Sequence, residues 1–239
     1  MLPLLLAATM TARIAVVTVT EGYRHSSIPT AERVIGSIAD RTQWFTVDYL
    51  RTEADLQRLG SDGLKSYDVI MFVNTTGELP LPDRDALVAW VREGGTFVGV
   101  HSASDTFHEF APYLDMLGGE FDFHGDQTAA EVWVESAAHP ATSALVSPMT
   151  IFEEYYHIKR FDPAAVHLLL ALRFDPDAKE ARSMPLSWWR DFGRGRVFYT
   201  ALGHREDVWE SPWFQQHLAG ALGWALGRQP APRRRAVTH

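Results

Sequence analysis

The chain has no cysteine among its 239 residues. Disulfide bridges, thiolate metal sites and a cysteine nucleophile are therefore excluded. Positive charge is also scarce: 22 Lys and Arg stand against 30 Asp and Glu, a formal net charge of −8. A general nucleic-acid binder shows a basic footprint, and docking on anionic membranes needs basic clusters, so neither partner is expected. The apolar run Leu2–Ala8 falls far short of the roughly 18 residues of a spanning helix and lacks the basic start of an export signal. The expected location is the cytoplasm. Glycine-rich phosphate loops are missing too: there is no Gly–x–Gly–x–x–Gly after the first strand and no Walker sequence, so NAD, ATP or flavin is not expected. With 46% hydrophobic and 22% charged residues the chain has the balance of a globular protein. Its chemical asset is ten histidines.

The first half alternates apolar, β-branched runs with helical spacing. Arg13–Thr18, Phe45–Leu50, Asp68–Val73 and Thr96–Val100 read as strands, the last two buried on both faces. Thr30–Ala39 and Pro82–Glu93 read as helices, Pro29 suiting a first turn and Gly94-Gly95 a stop. Strand–helix alternation predicts a parallel sheet with right-handed crossovers. In the second half, short strands are expected at Glu131–Glu135, Thr150–Ile158, His167–Leu172, Pro185–Trp189 and Arg196–Thr200, and a closing amphipathic helix at Pro212–Leu226. The expected organisation is a single α/β domain over residues 11–228, with flexible ends at 1–10 and 229–239. The Arg233–Arg235 run is read as part of a solvated tail.

Ligands of open parallel sheets bind beyond the carboxyl ends of the strands. Three of those ends deliver a histidine: His25 after the first strand, His101 after the fourth and His204 after Arg196–Thr200. Imidazole shuttles protons or binds transition metals near neutral pH. Glu153 and Glu154 offer a carboxylate from a strand; alternation sends one of them to a given face and leaves the other to solvent. Gly99–Ala103 has the strand-to-turn form of a nucleophile elbow, but His101 holds the central position and no Gly follows two residues later. Ser102 is therefore read as a helix cap in preference to a nucleophile. Asp105 is read either as a partner of a His or as a cap. The tryptophan-rich stretches, Trp188-Trp189 among them, default to core, with stacking on a sugar ring as the alternative.

Taken together, several stretches resemble the ThuA-like (trehalose-utilisation) family. They are Tyr23-Arg24-His25-Ser26-Ser27-Ile28-Pro29, Phe72–Gly77, Gly94–Thr106, Gly118–Phe121 with His124, His139-Pro140, Glu153–Tyr156, Pro185–Trp188 and Gly195–His204. The resemblance covers nearly the whole chain. It implies a flavodoxin-like, class I glutamine amidotransferase-like fold: a mostly parallel sheet flanked by helices, with additional strands in the second half. In that superfamily the elbow carries a catalytic Cys. Here His101 stands there, so glutaminase chemistry by that route is excluded. The family is linked to disaccharide metabolism, particularly to sugars oxidised to keto forms. The implied partner is a small sugar ligand, and a homo-oligomer is compatible with the sequence.

The leading expectation is a lyase, isomerase or hydrolase on a disaccharide or keto-sugar derivative. His101, His25, His204, Glu154 and Asp105 are its candidate catalytic residues. Asn74, Ser102, His124, Tyr156 and Trp188 are candidates for substrate binding. A positioned His or Glu would abstract a proton beside a keto group. A divalent metal such as Zn would polarise the carbonyl, with His25, His101, His124 and His204 as candidate ligands. The alternative is a non-catalytic sugar-binding or regulatory module on a scaffold that has lost its Cys.

Overall fold

The computed structural model describes residues 11–228. The expectations for residues 1–10 and 229–239 lie outside the described residues. Strands β1 (Ala12–Val17), β2 (Phe45–Leu50), β3 (Val69–Val73) and β4 (Thr96–Val100) alternate with helices α1 (Ile28–Thr42), α2 (Glu53–Leu56) and α3 (Arg84–Arg92). Helix α4 (Ala111–Leu117) and strands β5 (Glu120–His124), β6 (Thr128–Val134), β7 (Met149–Glu153), β8 (Tyr156–Lys159), β9 (His167–Leu172), β10 (Met184–Phe192) and β11 (Gly195–Thr200) follow. Helices α5 (Glu206–Glu210) and α6 (Pro212–Ala225) complete the described part.

One nine-stranded sheet runs in the order β2-β1-β3-β4-β11-β10-β9-β6-β7. Its β2-β1-β3-β4-β11 portion is parallel, and the remaining pairs are antiparallel. This is the α/β architecture expected, with the additional strands extending the same sheet. The strand alternation of period two divides the parallel part into two faces. Ile14, Val16, Met71, Val98 and Phe198 pack with Val34, Ile35 and Ile38 of α1 and Phe214, Leu218 and Leu222 of α6. Ala15, Val17, Ile70, Phe72, Phe97 and Tyr199 pack on the other face with Leu87, Val88 and Val91 of α3 and Tyr113, Leu114 and Leu117 of α4. Two sides of helices thus bury both faces, which is why β3 and β4 are apolar at nearly every position.

Local chemistry sets the ends of the helices. Pro29 sits in the first turn of α1, and Gln43 closes it in the left-handed region, its N–H donating to Ala39 O. The Asp83 carboxylate accepts from Ala86 N at the start of α3, and Ser211 Oγ accepts from Phe214 N at the start of α6. Both termini of α1 extend beyond the predicted Thr30–Ala39.

One expectation fails in a consequential way. Thr150–Ile158 is two strands. The chain leaves the large sheet after Glu153 and resumes as β8, which pairs antiparallel with β5 in a separate two-stranded sheet. Strand β5 and helix α4 were not anticipated. The alternation argument therefore does not span Glu153 and Glu154, and both are buried.

The core under α6 holds two histidines. His217 Nδ1 donates to Ala141 O at 2.9 Å, and the His139 ring stacks on Trp189. Burial first, then neighbouring histidines, pull His139 down to about 3, and burial pulls His217 to about 4. Both are neutral in the folded state at pH 5, whereas an unfolded His titrates near 6.5. Unfolding therefore takes up protons between about pH 6.5 and 4, and stability must fall as pH drops through that window. The expected result is a Tm lower at pH 5 than at pH 7, with the difference reduced in His217→Gln. A wild-type Tm that does not fall between pH 7 and pH 5 would contradict neutral burial.

Candidate active site

His25, His101 and His204 meet at the carboxyl ends of β1, β4 and β11, as the strand reading expects. His101 follows β4 directly and adopts φ 52°, in the left-handed region. A non-glycine residue there is strained, a condition that clusters at functional sites. A 3-10 turn over His101–Asp105 follows it. Gly99 allows this turn to fold close, since a Cβ would come within 3.0 Å of Tyr199 and 3.2 Å of Ala103. Tyr199 OH donates to His101 O at 2.7 Å, tying the turn to β11.

The His101 ring is oriented by its backbone partner. Nδ1 lies 2.8 Å from Ala201 O, and a carbonyl can only accept, so Nδ1 carries the proton. Nε2 of the neutral ring is then a bare lone pair. Four groups converge on it: Tyr156 OH at 2.9 Å, His25 Nε2 at 3.1 Å, His204 Nδ1 at 3.2 Å and Glu154 Oε1 at 3.7 Å. One lone pair accepts only one of the hydroxyl and ring N–H donors well, and the Glu154 carboxylate can only accept. Glu154 Oε1 also lies 3.2 Å from His204 Nδ1, and its Oε2 is 3.3 Å from His124 Nδ1.

Charge follows burial and pairing. Burial, then the positive charge of His204, lowers His25 to about 4. Burial, then His25, holds His101 well below the usual imidazole range. Burial opposes charge on His204 as well, yet the hydrogen bond and charge of Glu154 outweigh it and raise His204. His25 and His101 thus present unprotonated nitrogen at neutral pH.

The centre opens into a cavity of about 360 Å³ lined by Tyr23, His25, Asp105, Phe121, His124, Gln127, Glu154, Tyr156 and His204. His101 is fully buried behind this wall. Asp105 reaches the cavity, and its Oδ1 pairs with His108 Nε2 at 2.7 Å; His108 Nδ1 continues to Glu120 Oε1 at 2.8 Å. Asp105 thus pairs with a histidine, but with His108 and not with a histidine of the centre. His124 Nδ1 donates to Gly125 O at 2.8 Å, which leaves Nε2 as the acceptor on the neutral ring.

Three expected substrate-binding residues are placed elsewhere. Trp188 is fully buried in the core and donates through Nε1 to Leu117 O. Asn74 is buried, its amide donating to Ser27 Oγ and Gly203 O, so it clasps rim loops together. Ser102 is buried, with Oγ 3.5 Å from His25 Nδ1, behind the wall and not in it. Tyr23, Phe121 and Gln127 line the cavity and were not singled out. The aromatic pair had a cue in its position beside His25 and in the Gly-Gly-Glu-Phe stretch; Gln127 had none. A larger cavity, about 660 Å³, lies at the opposite ends of the strands around Arg13, Lys65 and Arg196. Among the described residues no histidine lies in its wall.

Glu153, expected in solvent if Glu154 faced inward, is an anchor. It is fully buried, and its carboxylate accepts N–H groups from Glu154 and Gly203. Burial pushes it up to about 7. It thereby fixes the backbone on both sides of the centre. Glu153→Ala would strand two buried N–H groups at about 1–3 kcal/mol each, lowering Tm by at least ~4 °C. A Tm within 1 °C of wild type in a thermal melt would remove this role.

A family model described as ThuA, trehalose utilisation, matches residues 13–225. A putative ThuA-like protein from Bacteroides uniformis superposes with TM-score 0.72 at 20% identity, covering 94% of this chain and 95% of that one. One from Parabacteroides merdae gives TM-score 0.73 at 17% identity, covering 94% and 92%. A Salmonella typhimurium LT2 protein, STM1381, described as cytoplasmic, gives TM-score 0.62 at 16% identity, covering 90% and 98%. No curated protein matches the chain. Among the described residues no helix is long and apolar enough to cross a membrane. The chain belongs to the ThuA, trehalose-utilisation, family.

Proposed function

We propose that the chain is an enzyme of sugar metabolism that acts on a disaccharide or keto-sugar derivative, with a divalent metal held by His25, His101, His204 and Glu154. The observation that carries this reading is the convergence of four donor atoms. A tetrahedral ion with bonds of about 2.0–2.1 Å spaces its ligands about 3.3 Å apart. The contacts here are 3.1 Å (His25–His101), 3.2 Å (His101–His204), 3.2 Å (His204–Glu154) and 3.7 Å (His101–Glu154). A cation resolves the competition for the His101 lone pair. The Ala201 carbonyl orients His101 in the manner of a metal ligand's supporting partner. The low pKa values of His25 and His101 mean that protons compete weakly for those nitrogens at neutral pH.

Such an ion acts as a Lewis acid on a carbonyl oxygen. The chain's own groups supply the rest. A keto group acidifies the adjacent C–H, and Nε2 of His124 at the cavity edge takes that proton. The Asp105 carboxylate, held by His108, accepts hydrogen bonds from sugar hydroxyls. Tyr23 and Phe121 offer ring faces to the apolar side of a sugar. Cytoplasmic location is part of the proposal, supported by the description of the Salmonella relative.

One observation favours a metal-free variant of this chemistry. Arg205 donates to Gln127 Oε1 at 2.6 Å, which turns the Gln127 amide nitrogen toward His204 Nε2 at 3.0 Å. Neutral His204 then carries its proton on Nδ1, the atom a metal would take. Elemental analysis of untagged protein separates the two. The expected result is about one bound ion lost in both His204→Ala and Glu154→Gln, with affinity lower by more than ~100-fold. Equal binding by wild type and both variants leaves the acid–base variant. In a screen of keto-disaccharides, His101→Ala is expected to abolish turnover. Unchanged turnover on a verified substrate would overturn the catalytic reading and leave a sugar-binding module.

A further inference from the structure

A second group of ligand-bearing side chains sits outside the cavity, on the opposite face of β8. His157 follows Tyr156 on that strand, so its side chain points away from the centre. Its Nε2 lies 2.9 Å from Asp177 Oδ2 and 3.8 Å from Asp175 Oδ1, and the Phe123 ring stacks on it at 4.0 Å. Asp175 is fully buried. Its Oδ1 accepts the N–H groups of Asp177 and Ala178, but Oδ2 is buried without a hydrogen-bond partner. The nearest positive charge to that oxygen is Arg182 Nη1 at 3.6 Å, beyond hydrogen-bond distance and on a half-exposed side chain. A buried, unpaired carboxylate oxygen is costly, and the group carries two acidic side chains against one arginine.

We propose that His157, Asp175 and Asp177 form a second divalent-cation site, suited to Zn²⁺ or Mn²⁺, that pins the loop from Asp175 to Arg182 onto β8. One imidazole nitrogen and two carboxylates are an ordinary donor set for these ions. The three ligand atoms lie within 4.8 Å of one another; the 3.8 Å contact to His157 is through Asp175 Oδ1, and Oδ2 is the oxygen of that carboxylate left without a hydrogen bond. The site goes beyond the sugar chemistry and does not depend on it. It bears on the cavity through packing. A Cβ at Gly125 would overlap the Asp177 carboxylate, so the pinned loop presses on the backbone between His124 and Gln127, two residues of the cavity wall. The cation is structural: it steadies that wall from behind. Arg182 substitutes for part of its charge when the ion is away.

The test uses the full chain, treated with chelator, desalted and titrated with Zn²⁺. Metal content is measured by elemental analysis, and the loop is probed by limited trypsin digestion at Lys179 and Arg182, both exposed. Wild type is expected to bind one more ion than Asp177→Asn, and Zn²⁺ is expected to slow cleavage at Lys179 at least fivefold in wild type but not in Asp177→Asn. Arg182→Gln is expected to bind Zn²⁺ several-fold more tightly, because a competing charge is removed. Identical stoichiometry and affinity in wild type and Asp177→Asn would overturn the proposal, as would loss of binding in Arg182→Gln. Glu154→Gln keeps the two sites apart: it retains the ion that Asp177→Asn loses, whatever becomes of the ion in the cavity.

Discussion

The hydrogen bond from His101 Nδ1 to Ala201 O joins two residues separated by 100 positions and lies where β4 and β11 run side by side. It fixes the tautomer of His101, and the tautomer decides which way the free lone pair points. His25, His204, Glu154 and Tyr156 are arranged around that lone pair. The bond exists because β11 pairs in parallel with β4, which brings the residues just beyond both strands level. Were β11 displaced by one residue, every side chain of the strand would change face, and the carbonyl would no longer meet the ring. The left-handed backbone of His101 belongs to the same arrangement. It turns the chain sharply at the strand end so that the imidazole lies across the rim.

Around this bond the fold divides the labour. The parallel strands contribute rim positions, which is where His25, His101 and His204 stand. The passage of the chain from β7 to β8 contributes Glu154, in the gap between the two sheets, and Tyr156, the first residue of β8. Glu153 supports that passage by accepting the N–H of Glu154 at the break and that of Gly203 beyond β11. A carboxylate inside the core is an expensive anchor, and its raised pKa is the mark of that expense.

The framework was legible where the physics is local. Strands buried on both faces, β3 and β4, announce themselves as apolar runs, and β2, β4 and β9 fall at the residues read from the sequence. The rim histidines were legible for the same reason: once strands are known, their ends are known. The site was harder wherever a residue acts through a break in regular structure. Glu153 and Glu154 were read by the alternation of one strand, and the strand ends between them. Trp188 is core by default, with stacking on a sugar as the alternative, and its Nε1 finds a carbonyl in the core. Asn74 looked like a ligand contact and serves as a brace between loops. Gln127 matters through its geometry to Arg205 and His204, and no spacing rule connects residues that far apart. The Asp175-Pro176-Asp177 turn and His157 gave no joint cue, since only the β5–β8 pairing and the loop after β9 bring them together.

The order of strands has one more consequence. His25 and His101 come from the segment before residue 102, while Glu154 and His204 come from the segment after residue 153, and β11 must slot between β4 and β10 before the two sets face each other. Neither half of the chain contains the centre. The first 101 residues carry two of the imidazoles, but not the Ala201 carbonyl that orients His101. The complete constellation needs β11, the last strand in the chain's described order, in the middle of a sheet that contains β1. A chain that stops short of β11 lacks both the Ala201 carbonyl and His204, and so has no centre to offer.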